Sequence, residues 1–184
     1  MTATTLDPKT ALVVVDLQNG IVSRPTVHPV ADVVANAVTL ADVFRAKDLP
    51  VVLVRVTGGA PGRNEAPAQS GGRPPADWAD IVPELGPRDD DIVVTKRNWG
   101  AFHGTDLDLQ LRRRGVTQIV VAGVATSIGV ESTARFAHEY GYHVTIATDA
   151  VTDMDADTHR NSVEKIFPRL GETDTTEAIV KLLG

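Results

Sequence analysis

Three places along this 184-residue chain put reactive groups at the end of a buried apolar run. Asp16 closes the run Ala11 to Asp16, Lys96 directly follows Ile92 to Thr95, and the stretch Val124 to Gly129 follows Ile119 to Ala122. A carboxylate so placed serves as an acid or base, and an ammonium beside it adjusts its proton affinity or holds a substrate anion. The stretch after Gly123 carries no large side chain before Ile128. Its backbone N–H groups stand at the start of a helix, where the dipole favours negative charge, and form a cradle for an anion or oxyanion. Each group also has a structural reading. Asp16 caps a turn, Lys96 is a surface charge or an ordinary ion-pair partner of Asp16, and the stretch is a tight connection.

What positions these groups is an alternation of strands and helices. The runs Ala11 to Asp16, Val51 to Val56, Ile92 to Thr95, Ile119 to Ala122 and His143 to Ala147 have the form of buried parallel strands, and Gly171 to Thr173 makes a marginal sixth. Helical spacing runs from about Val30 to Lys47, where Val33, Val34, Ala37, Leu40, Ala41 and Phe44 share a face. It recurs from Thr105 to Arg114, from about Ile128 to Gly141, from Ala156 to Phe167 and from Thr175 to Leu183, and Thr105 with Asp108 resembles a capping box. This predicts a single α/β domain over residues 1–184, a parallel sheet with helices on both faces. Ligands of such sheets bind outside the carboxyl ends of the strands where strand order reverses, and all three reactive places lie at strand ends. Thr57 to Asp91, rich in Gly and Pro, predicts a long irregular segment serving as a lid, a subunit contact or an insertion. Within it a short helix is expected over Asp77 to Leu85, with Trp78 as an anchor. Asp149 is expected just beyond the fifth strand.

A hydrophobic content of 42% suffices for a sizeable core, and a net charge of −6 with no basic run beyond Arg112 to Arg114 argues against nucleic-acid binding. The absence of cysteine removes disulfides, thiolate metal sites and any cysteine nucleophile. The segment MTATTLDPKT lacks a basic stretch followed by an apolar one, and no apolar run approaches the roughly 20 residues that span a membrane. The reading is a soluble, cytoplasmic protein with no membrane partner.

Four segments together resemble the isochorismatase-like hydrolase superfamily: VVVDLQNG (13 to 20), KRNWGAFHGTDLDLQLRRRG (96 to 115), VVAGVATSIGVESTARFAHEYGY (120 to 142) and ATDAVTDM (147 to 154). They run in family order over nearly the whole chain and are specific in combination. The resemblance implies a Rossmann-like, three-layer α/β/α sandwich with a six-stranded, mostly parallel sheet. It implies Asp16 as the acid/base, Lys96 as its charged neighbour, and the Ala125 and Gly129 N–H groups as an oxyanion pair, with a cis peptide between Val124 and Ala125. Gln18, Trp99, Phe102, Thr126 and Ser127 are expected to wall the pocket, with packing as the alternative for Trp99 and Phe102. A small-molecule substrate and a homo-oligomer, dimer or larger, are also implied.

In the cysteine-hydrolase members a nucleophilic cysteine stands where this chain has Gly129, so their thiol route to amide hydrolysis is closed here. Isochorismatases proper also lack the thiol and can have glycine there. They hydrolyse a vinyl ether: an acid protonates the enol carbon, water adds to the resulting oxocarbenium-like centre, and pyruvate leaves. Asp16 would be that acid, with burial raising its pKa and Lys96 lowering it. The wording ATSIGVEST is nonetheless closer to the cysteine-hydrolase pattern with one residue changed, and Thr126 stands where an isochorismatase is expected to carry another side chain.

Other readings stay open. ATSIG (125 to 129) is one glycine short of a G-x-S-x-G nucleophile elbow, and Ser127 with Asp149 or Asp153 and then His159 would make a serine hydrolase. A chain without the thiol also suits an inactive small-anion-binding or assembly module, although the retained Asp16 and Lys96 speak against it. Nicotinamidases of this superfamily bind a metal through aspartate and histidines. The five histidines here show no paired ligand spacing, so no metal or other cofactor is expected. His103 and His159 are the two placed to approach the crevice.

Overall fold

The computed structural model describes residues 2–65 and 74–184, so the middle of the Gly/Pro-rich segment, 66–73, lies outside the described residues. Its strands are β1 (Thr10–Val15), β2 (Val51–Val56), β3 (Ile92–Lys96), β4 (Gln118–Val124), β5 (His143–Thr152) and β6 (Glu172–Asp174). They form one sheet in the order β3-β2-β1-β4-β5-β6, and every pairing is parallel. The helices are α1 (Asn19–Val22), α2 (Val30–Ala46), α3 (Leu107–Arg113), α4 (Glu131–Glu139), α5 (Ala156–Asn161), α6 (Phe167–Leu170) and α7 (Thr176–Leu183).

Successive strand residues point to opposite faces, and this divides the core into two layers. Val13 and Val15 pack with Leu107, Leu111, Ala134 and Phe167 beneath α3, α4 and α6. Leu12 and Val14 pack with Leu40, Phe44 and Ile179 beneath α2 and α7. The result is a three-layer α/β/α sandwich. The first three strands are laid outward from β1 to β3, and the chain then crosses to β4 on the other side of β1. Strand order therefore reverses between β1 and β4, where parallel α/β sheets bind ligands.

Two glycines are fixed by close approach at this edge. Gly123 has φ 122°, and a Cβ there would sit 2.0 Å from the Val15 carbonyl oxygen. A Cβ on Gly20 would fall 2.0 Å from Nε1 of Trp78, whose indole lies over the start of α1.

The structure departs from the sequence expectations where a tertiary partner outcompetes a local one. Asp77 to Leu85 is not a helix but a turn followed by a 3₁₀ turn over Pro83–Leu85. Its Trp78 and Asp80 carbonyls accept from the N–H groups of Gly20 and Asn19 instead of from residues further along their own segment. The Thr105 capping box does not form. Thr105 Oγ1 accepts from Leu107 N–H, while the Asp108 carboxylate accepts from Tyr142 Oη at 2.8 Å and from Arg112. Strand β5 runs on to Thr152, so Asp149 lies within it; its pairing with β4 shifts register between Val121 and Gly123. The Ala156 to Phe167 helix is broken by a π-helical turn over Ser162–Ile166, before Pro168, whose missing N–H interrupts the ladder. No helix among the described residues is long and apolar enough to cross a membrane.

Candidate active site

Strand β1 delivers Asp16 as the chain turns out of the sheet. Its φ of 54° is left-handed, a conformation aspartate tolerates better than most residues. Strand β3, two positions away across the sheet, ends on Lys96. The two side chains meet over the crest of β2: Lys96 Nζ donates to Asp16 Oδ2 at 2.7 Å and to the Asn98 carbonyl at 3.1 Å. Both are buried, with Lys96 2% and Asp16 6% exposed.

The pair is not internally satisfied. Asp16 Oδ1 is buried and has no hydrogen-bond partner among the described residues. Burial raises the Asp16 pKa, the Coulombic pull and hydrogen bond of Lys96 lower it, and burial wins, moving it from 3.8 to about 6. Sequence leaves the sign of that competition open, because it depends on how much water the fold removes.

The third component is the turn after β4. The Val124–Ala125 peptide is cis. Residues Thr126–Val130 form a π-helical turn in which the Ile128 and Val130 N–H groups both donate to the Ala125 carbonyl. The Ala125 N–H finds no acceptor among the described residues. A Cβ built on Gly129 would lie 3.2 Å from Asp16 Oδ2 and 3.0 Å from Val15 Cγ1. A side chain at position 129 would thus abut the carboxylate, and glycine lets the turn approach Asp16 without that crowding.

Two side chains from beyond β5 hold the turn. Asp153 Oδ2 accepts from Ser127 N–H at 2.7 Å and its Oδ1 from Met154 N–H. Thr126 Oγ1, fully buried, lies 2.9 Å from His159 Nδ1. His159 has a lowered pKa, first from burial and then from His28, whose ring meets it edge-on at 4.7 Å; Asp153 opposes the shift.

The residues expected to wall a pocket thus have different placements. Gln18 is fully buried and its amide is committed: Nε2 donates to the Val56 and Trp78 carbonyls, and Oε1 accepts from Val56 N–H. It is a strut rather than a wall. Phe102 is core, packed edge-on to Tyr140 at 5.5 Å, while Trp99 is 63% exposed. His103 lies beside Phe136, on that same aromatic surface. For the serine-hydrolase reading, no hydrogen bond joins Ser127 Oγ to His159 among the described residues: His159 Nδ1 meets Thr126 Oγ1, Asp153 takes the Ser127 and Met154 N–H groups, and Asp149 Oδ1 accepts from Thr176 at the start of α7. Among the described residues no group of three or more His, Asp or Glu side chains gathers to hold a metal. Sequence reasoning missed the Asn98 carbonyl, because any residue supplies one. It weighed Asp153 only as a triad member, although a carboxylate following a strand next to a turn rich in free N–H groups is a signal for clamping.

The isochorismatase domain pattern matches residues 10–178. The chain is 49% identical over 179 residues to the isochorismatase family protein YwoC of Bacillus subtilis, covering 94% of this chain and 93% of that one. It superposes on the solved structure of an isochorismatase family protein from Burkholderia thailandensis with a TM-score of 0.92, at 45% identity and 97% coverage of both chains. It is also 32% identical over 214 residues to the ureidoacrylate amidohydrolase RutB of Methylobacterium radiotolerans, covering 97% of this chain and 81% of the relative. The parallel sheet, the Asp16–Lys96 pair at its crest and these matches together place the chain in the isochorismatase family.

Proposed function

We propose that this family member hydrolyses a small carboxylate-bearing substrate by proton donation from Asp16, without a protein nucleophile, and that a vinyl ether such as isochorismate is its substrate. One observation carries the reading. Asp16 Oδ1 is buried and has no partner among the described residues, in a carboxyl whose pKa is about 6 and whose other oxygen, Oδ2, lies beside the bare Gly129. A protonated carboxyl needs an acceptor for its proton, and Oδ1 has no partner among the described residues. At pH 7 a group of that pKa is protonated in about one molecule in ten, enough for a general acid to work near neutrality.

The chemistry balances with these groups. The Asp16 proton goes to the terminal enol carbon, leaving an oxocarbenium at the ether carbon. Water adds there and returns a proton to Asp16, and the hemiketal collapses to pyruvate and an alcohol. Lys96 stabilises the carboxylate that exists between the two proton transfers. The Ala125 N–H, with Gly129 beside it, is available to a substrate oxygen. Ser127 belongs to the Asp153 clamp in this reading.

The test is pyruvate release from isochorismate by the purified chain, with Asp16→Ala and a panel of small amides alongside. Release that vanishes in the variant is the expected result. Amide turnover without pyruvate release, or release that survives in Asp16→Ala, would overturn the proposal.

A further inference from the structure

A cavity of about 500 Å³ opens at the same edge of the sheet, lined by Ile21, Arg24, Val56, Thr57 and Trp78 with the backbone of Gly58 and Gly59. Its size falls in the range of small-molecule sites. Arg24 is the one charged side chain among these lining residues. It is partly buried, and its guanidinium has no hydrogen-bond acceptor or ion-pair partner among the described residues. Ile21, Val56 and the Trp78 indole supply apolar walls.

We propose that this cavity is the recognition pocket for the substrate's anionic group, with Arg24 as its counter-charge and Trp78 as the wall for an apolar body. The inference deepens the reading of the crevice as a small-carboxylate site and rests on it. A partly buried guanidinium offers a planar fork of donors that matches a carboxylate bidentately, and partial exclusion of water strengthens the pairing. A neutral amide in the same place would leave that charge unmatched.

The pocket is tied to the acid pair through the backbone. Its wall residue Val56 is the last residue of β2, which lies between the strands that deliver Asp16 and Lys96. Thr57 N–H donates to the Lys96 carbonyl, and the Gln18 amide pins both Val56 and Trp78. Strands in a sheet lie about 4.8 Å apart, so the Val56 wall of the cavity adjoins the strand that leads into Asp16, whose N–H donates to the Val54 carbonyl. Arg24 stands alone on an irregular turn after α1, with no spacing that marks it, and its significance comes only from the cavity.

The sequence has two tryptophans, so Trp99→Phe leaves Trp78 as the sole indole and its emission reports on the pocket. The probes are benzoate and its neutral isostere benzamide, titrated into this variant and followed by fluorescence. Benzoate is expected to give a saturable change at millimolar concentration and benzamide a much weaker one. Arg24→Met should weaken benzoate by about tenfold or more, with Arg24→Lys between the two, because lysine keeps the charge but not the fork. Equal binding of the two probes, an unchanged affinity in a folded Arg24→Met, or no saturable response to benzoate would overturn the assignment. Asp16→Asn separates the two proposals, since it should retain benzoate binding while losing turnover. A chain that binds benzoate through Arg24 but releases no pyruvate keeps the pocket and loses the vinyl-ether chemistry.

Discussion

The buried acid should leave a signature in folding that needs no substrate. Asp16 has a pKa of about 6 in the fold against 3.8 in the open chain. Between those values the folded state holds a proton that the unfolded state has released, so this group's contribution to stability is fully present below pH 3.8 and lost as pH rises through 6. A shift of about two units corresponds to about 3 kcal/mol at most. Evaluated from the two pKa values, the loss is about 1 kcal/mol at pH 4.5 and about 3 kcal/mol at pH 7.5. Removing the carboxylate alone would strand the Lys96 ammonium, 2% exposed and left with the Asn98 carbonyl as its acceptor. The informative perturbation is therefore the pair Asp16→Asn with Lys96→Met, which removes both buried charges and keeps the volumes close. Urea unfolding of both proteins at the two pH values gives the assay. The difference in stability, double variant minus wild type, should move by about 2 kcal/mol in the variant's favour between about pH 4.5 and pH 7.5. A difference that stays flat, or moves the other way, would show that burial does not raise Asp16 and would remove the basis for calling it an acid.

Two further outcomes follow from the same geometry. Lys96→Met removes the attraction that holds the Asp16 pKa down, so the alkaline fall in kcat/KM for pyruvate release should shift from near pH 6 to higher pH by roughly 1–3 units; a downward shift in the pH profile would contradict the pairing. Ser127→Ala should leave turnover within about twofold of wild type, since the interaction at that position is the backbone N–H donated to Asp153. A large loss in steady-state rate would restore the serine as a nucleophile.

Arg45 and Asp91 illustrate a contact that no sequence pattern announced. Arg45 near the end of α2 reaches Asp91 at 2.6 Å, with both side chains almost wholly buried. Neither residue is marked by its neighbours, and they are 46 positions apart. The same pair closes the described end of the Gly/Pro-rich segment against α2, just before β3 begins. Two buried charges tolerate removal poorly one at a time, so such a contact fixes where that segment rejoins the sheet.

What the sequence determined by itself is the order of elements, the placement of Asp16 and Lys96 at strand ends, and the absence of a nucleophile at Gly129. Those follow from local apolar periodicity and residue identity, which act over a few positions. The boundaries that differed were set by long-range partners: Asp108 went to Tyr142, and Asp80 and Trp78 gave their carbonyls to α1. Only the tertiary structure decided that Gln18 is a strut, that His159 engages Thr126, and that Arg24 lines a cavity. It also decided the sign of the Asp16 shift. Burial of a carboxylate depends on how many strands and side chains close over it, and that quantity exists only once β1, β3 and the turn after β4 have been brought together.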